Sequence, residues 1–198
     1  MIRVNVLVEG STDEPVAKRL LKHSGLEVGT VYGRRGKADL LRRLSNYNQA
    51  ARFSPWFVVV DLDADSQCPS QALGTWLPDP SAGMRCRIAV RAIESWLMAD
   101  RESMAQFLGV SSSRLQHNFD IDPNPKETLI DIARHSRNKS IREDIVPRPM
   151  SGAKVGPLYV PQLTRFVNEL WRPDTASVES ESLHRCLQAL STLAEWEA

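Results

Sequence analysis

Two periodicities of apolar and polar residues alternate along the first half of the chain. Short runs rich in Val and Ile predict buried strands at residues 2–8, 27–32, 55–61 and 87–90. Segments with apolar residues three or four positions apart lie between or after these runs and predict helices. Strands that alternate with helices are typical of a parallel sheet covered by helices on both faces. We therefore predict an α/β fold, a Rossmann-like parallel sheet of about four strands, in residues 1–100.

The second half of the chain, residues 101–198, has helical periodicity and no strand pattern. Residues 161–171, PQLTRFVNELW, place apolar side chains on one helical face, and residues 182–196 carry a stripe of leucines. Loops rich in Pro and Gly interrupt the helices at 120–126 and 145–157. We predict a helical C-terminal part that packs on the α/β core as one structural unit.

Composition points to no particular class of partner. The 198 residues include 25 Lys and Arg and 24 Asp and Glu, a net charge of +1, so any electrostatic attraction to nucleic acid must be local. The three cysteines form no CxxC pair, and they predict neither a disulfide framework nor a zinc ribbon. No apolar run is long enough to cross a bilayer. The odd number and wide spacing of the cysteines fit a reducing compartment, so we expect a cytoplasmic protein.

Carboxylates follow two of the predicted strands. Glu9 follows the first strand, and Asp61, Asp63 and Asp65 follow the third in the sequence VVVDLDAD. The carboxyl ends of parallel strands share one edge, and residues two apart in an extended segment face the same way. We therefore expect Glu9, Asp61 and Asp63 to converge. Converging carboxylates repel each other unless a cation compensates, and an all-oxygen site suits Mg²⁺ or Mn²⁺ bound beside a phosphate ester.

The segments VLVEG and VVVDLDAD, about 50 residues apart on the first and third predicted strands, resemble the two motifs of the Toprim family. Topoisomerases, primases and overcoming-lysogenisation-defect nucleases share this catalytic fold. The resemblance covers roughly the first 100 residues. It implies that Glu9 is a metal ligand or general acid/base and that Asp61 and Asp63 hold Mg²⁺. The ExxxD pattern of the nuclease branch matches Glu9 and Asp13, which implies that Asp13 is also a metal ligand.

Later segments are similar to those of small stand-alone bacterial Toprim-like proteins, namely RAIESWLMAD, the PK at 125–126 and KVGPLY. The similarity implies that Glu94 is a catalytic acid and that Lys154 offsets charge at the transferred phosphate. Simpler explanations stay open for three acids. A helix-surface position explains Glu94, the first turn of a helix explains Asp13, and a turn explains Asp65, whose alternative role is an outer metal ligand.

Basic residues follow the second predicted strand in the loop GRRGK, residues 33–37. This loop is expected at the same edge of the sheet as the acids, and it precedes a helix N-terminus, which favours anions. Arg34, Arg35 and Lys37 are therefore candidate phosphate-binding residues. A solvated basic loop explains them equally well.

The resemblance favours a Mg²⁺-dependent nuclease that hydrolyses phosphodiester bonds of DNA or RNA, in phage defence or nucleic-acid processing. A separately encoded ATPase is an expected partner, since the chain has no P-loop of its own. One alternative is a non-catalytic metal- and phosphate-binding module that regulates such a partner. A weaker alternative is a small-molecule phosphatase, although the haloacid-dehalogenase pattern requires its DxD on the first strand.

Overall fold

The computed structural model describes residues 1–65, 68–115 and 118–195. Within these ranges it contains a four-stranded sheet in which every pair of neighbouring strands is parallel. The strands are β1 (Arg3–Val8), β2 (Glu27–Gly33), β3 (Trp56–Asp61) and β4 (Met84–Ala89), in the order β2-β1-β3-β4. The predicted fold class, a Rossmann-like parallel sheet with a helical C-terminal region, is confirmed.

Helices connect the strands and form the whole second half of the described chain. They are α1 (Asp13–His23), α2 (Lys37–Ala50), α3 (Pro69–Trp76), α4 (Ile93–Ala99), α5 (Arg101–Leu108), α6 (Pro125–Arg134), α7 (Lys139–Ile145), α8 (Tyr159–Glu169), α9 (Pro173–Glu179) and α10 (Glu181–Leu193). The apolar pattern did not predict α7 and α9, because each of these seven-residue helices buries only two residues, too few to show a helical period. None of the helices in the described ranges has the length and hydropathy needed to cross a membrane.

The central strand β3 is buried along its whole length, because helices cover both faces of the sheet. On one face Phe57 and Val59 pack with α1, α4 and the C-terminal helices. On the other face Val58 and Val60 pack against Leu40 and Leu44 of α2. This two-sided burial explains why the strand reads as a continuous apolar run rather than an alternating one.

The C-terminal helices bury their apolar faces in the same core as β1 and β3. Two tryptophans join the α/β core to the C-terminal helical region through hydrogen bonds as well as packing. The indole of Trp96 in α4 donates to Ser182 of α10 at 2.7 Å. The indole of Trp171, after α8, donates to the carbonyl oxygen of Trp96 at 3.2 Å. The helical region therefore lies directly against α4, the element that follows the fourth strand.

The strand order places a crevice between the carboxyl ends of β1 and β3. The chain leaves β1 toward β2 on one side and leaves β3 toward β4 on the other, which creates the switch point where open α/β sheets bind ligands. Val8 is paired with Val59 in the ladder. Glu9, one residue beyond β1, and Asp61, the last residue of β3, therefore flank this crevice.

Candidate active site

Asp61 ends β3 with a carboxylate that is only 9% exposed. The backbone N–H of Ile93, the first residue of α4, donates to Asp61 Oδ1 at 2.9 Å and fixes its orientation. Burial raises the pKa of Asp61 well above its usual range, and the negative charges of Asp13, Glu94, Glu9 and Asp63 raise it further. A strand-end carboxylate is thus held away from water among other acids.

Glu9 and Asp13 approach the same crevice from the loop after β1 and from the start of α1. Burial, followed by the charges of Asp13 and Asp63, raises the pKa of Glu9 to about 7. Burial also raises the pKa of Asp13 to about 6, although the backbone N–H of Gly10 donates to its Oδ2 at 2.6 Å. Asp13 is 5% exposed, and it is also the first residue of α1, so its position in the first turn of a helix is confirmed.

Glu94 is fully buried in the first turn of α4. The hydroxyl of Tyr159 donates to its Oε1 at 2.8 Å, and Lys126 Nζ lies 3.6 Å from the same oxygen. Burial and the neighbouring Glu94 raise the pKa of Tyr159, which keeps that hydroxyl protonated as a donor. The helix-surface explanation of Glu94 is wrong, because every residue of this short helix is buried between the sheet and the C-terminal helices.

We refer to Glu9, Asp13, Asp61 and Glu94 as the acid cluster. Glu9 Oε2 and Glu94 Oε2 are buried with no hydrogen-bond partner in the described part of the chain. Carboxylate oxygens without partners, at pKa values raised by burial and mutual repulsion, fit the donor chemistry of a hard divalent cation. These side chains do not form a complete set of metal ligands, because no three acid, His or Cys groups within the described residues are close enough to hold a metal ion.

The carboxylates of Asp63 and Asp65 both form an ion pair with the same lysine. Lys37 Nζ contacts Asp63 Oδ2 at 3.1 Å and Asp65 Oδ2 at 2.6 Å, and it also donates to the carbonyl oxygen of Leu62 at 3.1 Å. Asp63 has a left-handed backbone, φ 50°, so the extended geometry assumed for the DxD pair ends at Asp61. Lys37, predicted to bind phosphate, has its three ammonium hydrogens directed at acceptors of its own chain.

The other predicted phosphate-binding residues lie in the same loop after β2. Arg34 Nε pairs with Glu14 Oε2 at 2.5 Å. Arg35 is exposed to solvent. A cavity lies beside the acid cluster, and neither residue lines it.

A cavity of about 420 Å³ opens beside the acid cluster. Asp61 and Asp63 both line it, so the DxD pair does share a space even though only Asp61 is buried. Lys154, predicted from the C-terminal Gly-rich segment, also lines it, together with Lys126. The structure therefore brings Lys154 within the same cavity as the aspartates of β3, across about 90 residues of sequence.

Sequence reasoning assigned no role to Lys126 or Tyr159, which contact Glu94 directly. Both residues lie in segments quoted for the resemblance, PK at 125–126 and KVGPLY, but the resemblance gave neither of them a role. Lys126 comes from the first turn of α6 and Tyr159 from the start of α8. Only the packing of these helices on α4 brings both side chains to the buried carboxylate.

The raised pKa of Glu9 predicts how stability changes with pH in the metal-free protein. Between about pH 4.5 and 7 the folded chain keeps a proton on Glu9 that the unfolded chain releases. The stabilising contribution of this group is complete below the unfolded value and is lost as the pH rises through about 7. We expect the melting temperature, measured in a chelator, to fall between about pH 5 and 8, and to fall less in Glu9→Gln.

Glu27→Gln is the matched control for this experiment, because it removes the same charge from an exposed residue at the start of β2. It should follow the pH profile of the unchanged protein. An identical profile for Glu9→Gln and the unchanged protein would show that Glu9 is not a buried, repelled carboxylate.

Comparisons of the chain with protein-family models, with curated proteins and with solved structures found no match. The interpretation of the site therefore rests on its own geometry and on the residues quoted above.

Proposed function

We propose that the chain is a metal-dependent phosphodiesterase acting on nucleic acid, with the acid cluster as its active site. One observation carries the proposal: acidic residues from β3, α1, α4 and the loop after β1 lie around the switch point of the sheet, three of them are buried, and two of the carboxylate oxygens lack partners. Buried carboxylates that repel each other do not stabilise a fold, and such groups cluster at functional sites. The choice of nucleic acid as substrate comes from the resemblance of VLVEG and VVVDLDAD to the Toprim motifs.

Glu9, Asp61 and Asp13 are the residues that would hold a divalent cation, with Asp63 lining the adjoining cavity. Mg²⁺ or Mn²⁺ bound there would polarise a phosphoryl oxygen and lower the pKa of a water molecule. Glu94 lies behind these ligands, and its hydrogen bond from Tyr159 fixes its position.

Glu9 is the residue best suited to move a proton. Its pKa is about 7 in the metal-free protein, and a bound cation would lower it, so Glu9 would serve as the proton acceptor. Asp61 is less suited, because the N–H of Ile93 occupies one oxygen and holds the carboxylate still. We assign proton transfer to Glu9 and positioning to Asp61, whose fixed carboxylate faces the cavity where the phosphate group would enter.

A non-catalytic binding module is the second candidate, and the contacts of Lys37 favour it. One internal ammonium group, that of Lys37, already contacts both Asp63 and Asp65, so two of the five predicted metal ligands share a cation without any ion from solution. In this function the site would bind a phosphorylated ligand and transmit its presence to a partner such as the expected ATPase, without turnover.

A cleavage assay separates the two functions. Purified protein is incubated with single-stranded and duplex DNA and RNA in Mg²⁺, in Mn²⁺ and in a chelator. The proposed function predicts cleavage that depends on the divalent cation. Absence of cleavage of every substrate in both metals would refute the nuclease, and turnover of a phosphate monoester alone would favour a small-molecule phosphatase.

A further inference from the structure

The cavity beside the acid cluster is lined by side chains of both charges. Its acids are Asp61, Asp63 and Glu127, and its cations are Arg91, Lys126 and Lys154. Its volume of about 420 Å³ lies in the range of sites that hold a small molecule. A space that contains both carboxylates and cations suits a ligand that carries a metal-binding phosphate group.

Lys126 is a cation that both contacts the acid cluster and lines the cavity. Its ammonium group lies 3.6 Å from Glu94 Oε1, and its side chain is 49% exposed. Partial burial lowers the pKa of Lys126, but Glu94, Asp61 and Asp13 outweigh this effect and raise it. The buried acids therefore stabilise the charge of a side chain that is still about half exposed.

Lys154 faces the same cavity from a short segment that is tied to α7. Two residues later, Gly156 donates to the carbonyl oxygen of Ile145 at 2.8 Å. The backbones approach so closely that a Cβ on Gly156 would lie 2.3 Å from the carbonyl oxygen of Asp144. Within the described residues Lys154 forms no ion pair of 4.0 Å or less, so its charge is not used by the fold.

The basic loop after β2 is less suited to bind phosphate. Arg34 is paired with Glu14, and Lys37 with Asp63 and Asp65. Arg91 lines the cavity but already donates to the carbonyl oxygen of Asp63 at 3.1 Å. Lys126 and Lys154 are exposed residues that line the cavity together with Asp61. The contact of Lys126 with Glu94, at 3.6 Å, is longer than either contact of Lys37 with its aspartates.

We propose that Lys126 and Lys154 form a subsite for the phosphate group of a single nucleotide, so that the C-terminal helical region supplies half of the substrate site. The inference rests on the proposed function and names its substrate-binding half. In this arrangement the phosphate lies between the lysines of the helical region and the carboxylates of β1 and β3. The α/β core alone would hold the acids without the cations that orient the ligand.

Binding of adenosine 5′-monophosphate in Mg²⁺, measured by calorimetry on the full chain, tests the subsite. We expect Lys126→Ala and Lys154→Ala each to weaken binding by about tenfold, since each removes one charge-assisted hydrogen bond to phosphate. Lys139→Ala removes the same charge from an exposed position on α7 outside the cavity, and should bind as the unchanged protein does. Adenosine without phosphate should not distinguish the variants.

The result would overturn the subsite if the nucleotide fails to bind, or if both lysine variants bind it as tightly as Lys139→Ala. Lys154→Ala keeps the test valid should Lys126→Ala lose stability through Glu94. The cleavage assay tests the proposed function separately from the binding measurement. Lysine-dependent binding without cleavage of any nucleic acid would leave the subsite standing in a binding module, whereas cleavage without lysine-dependent binding would leave the nuclease standing and remove the subsite.

Discussion

Replacing Asp61 with Asn is expected to reduce phosphodiester cleavage by roughly 100- to 1000-fold and, at the same time, to stabilise the metal-free protein. The loss of activity follows from removing a charged ligand at the centre of the acid cluster. The gain in stability follows from removing a carboxylate that burial and four neighbouring acids disfavour. Asn keeps the oxygen that accepts the hydrogen bond from Ile93, so the local backbone is expected to be unchanged.

The effect of Asp61→Asn on stability should change with pH in a defined direction. The folded pKa of Asp61 is raised, so the contribution of this group to stability is complete below its unfolded pKa and is lost as the pH rises. The advantage of Asp61→Asn should therefore be larger at pH 8 than at pH 5. A gain of about 1 kcal/mol corresponds to about 2 to 4 °C in melting temperature for a chain of this size.

Paired measurements of activity and melting temperature distinguish a functional carboxylate from a structural one. Asp131→Asn, at an exposed position on α6, is the matched control and should change neither quantity. Addition of Mg²⁺ should raise the melting temperature of the unchanged protein and have little effect on Asp61→Asn. A variant that cleaves normally, or that is destabilised at pH 8, would contradict the assignment of Asp61 to the active site.

Replacing Asp100 with Ala is expected to destabilise the fold by about 3 kcal/mol. Asp100 lies between α4 and α5 with a fully buried side chain. It accepts a hydrogen bond from the backbone N–H of Ser103, which caps α5. It also accepts one from the backbone N–H of Arg172 at 2.9 Å, and the guanidinium of Arg172 lies 2.6 Å from its Oδ1. One carboxylate thus joins the end of the α/β core to the segment between α8 and α9.

Urea denaturation of Asp100→Ala and Glu102→Ala provides the test. Glu102 contacts the same guanidinium at 3.2 Å, but its side chain is 84% exposed. Because exposed ion pairs contribute little, Glu102→Ala should change the free energy of unfolding by less than about 1 kcal/mol. Equal effects of the two substitutions would show that the buried contact does not hold the helical region against the core.

The sheet and the position of its acids were accessible from the sequence because both depend on local patterns. The apolar run before Asp61 is long and β-branched, and only a central strand buries such a run on both faces. Glu9 and Asp61 could be placed together because carboxyl ends of parallel strands share an edge, whatever the exact register.

The remaining parts of the site depend on contacts between distant segments. Lys126 and Tyr159 reach Glu94 only because α6 and α8 pack on α4. Glu94 itself could be read as an exposed helical residue, since its surroundings are supplied by helices that follow it in the chain. The partner of Lys37 was equally hidden, because a flexible side chain selects the carboxylates it reaches and the sequence spacing does not specify them.

Anomalous diffraction from crystals grown or soaked in Mn²⁺ tests the central claim most directly, because it locates the ion without relying on turnover. The account predicts a peak at the switch point between β1 and β3, with oxygens of Glu9 and Asp61 in its coordination sphere, and no peak there in crystals of Asp61→Asn. A fully occupied Mn²⁺ site elsewhere, or a crevice without an ion at saturating Mn²⁺, would contradict it.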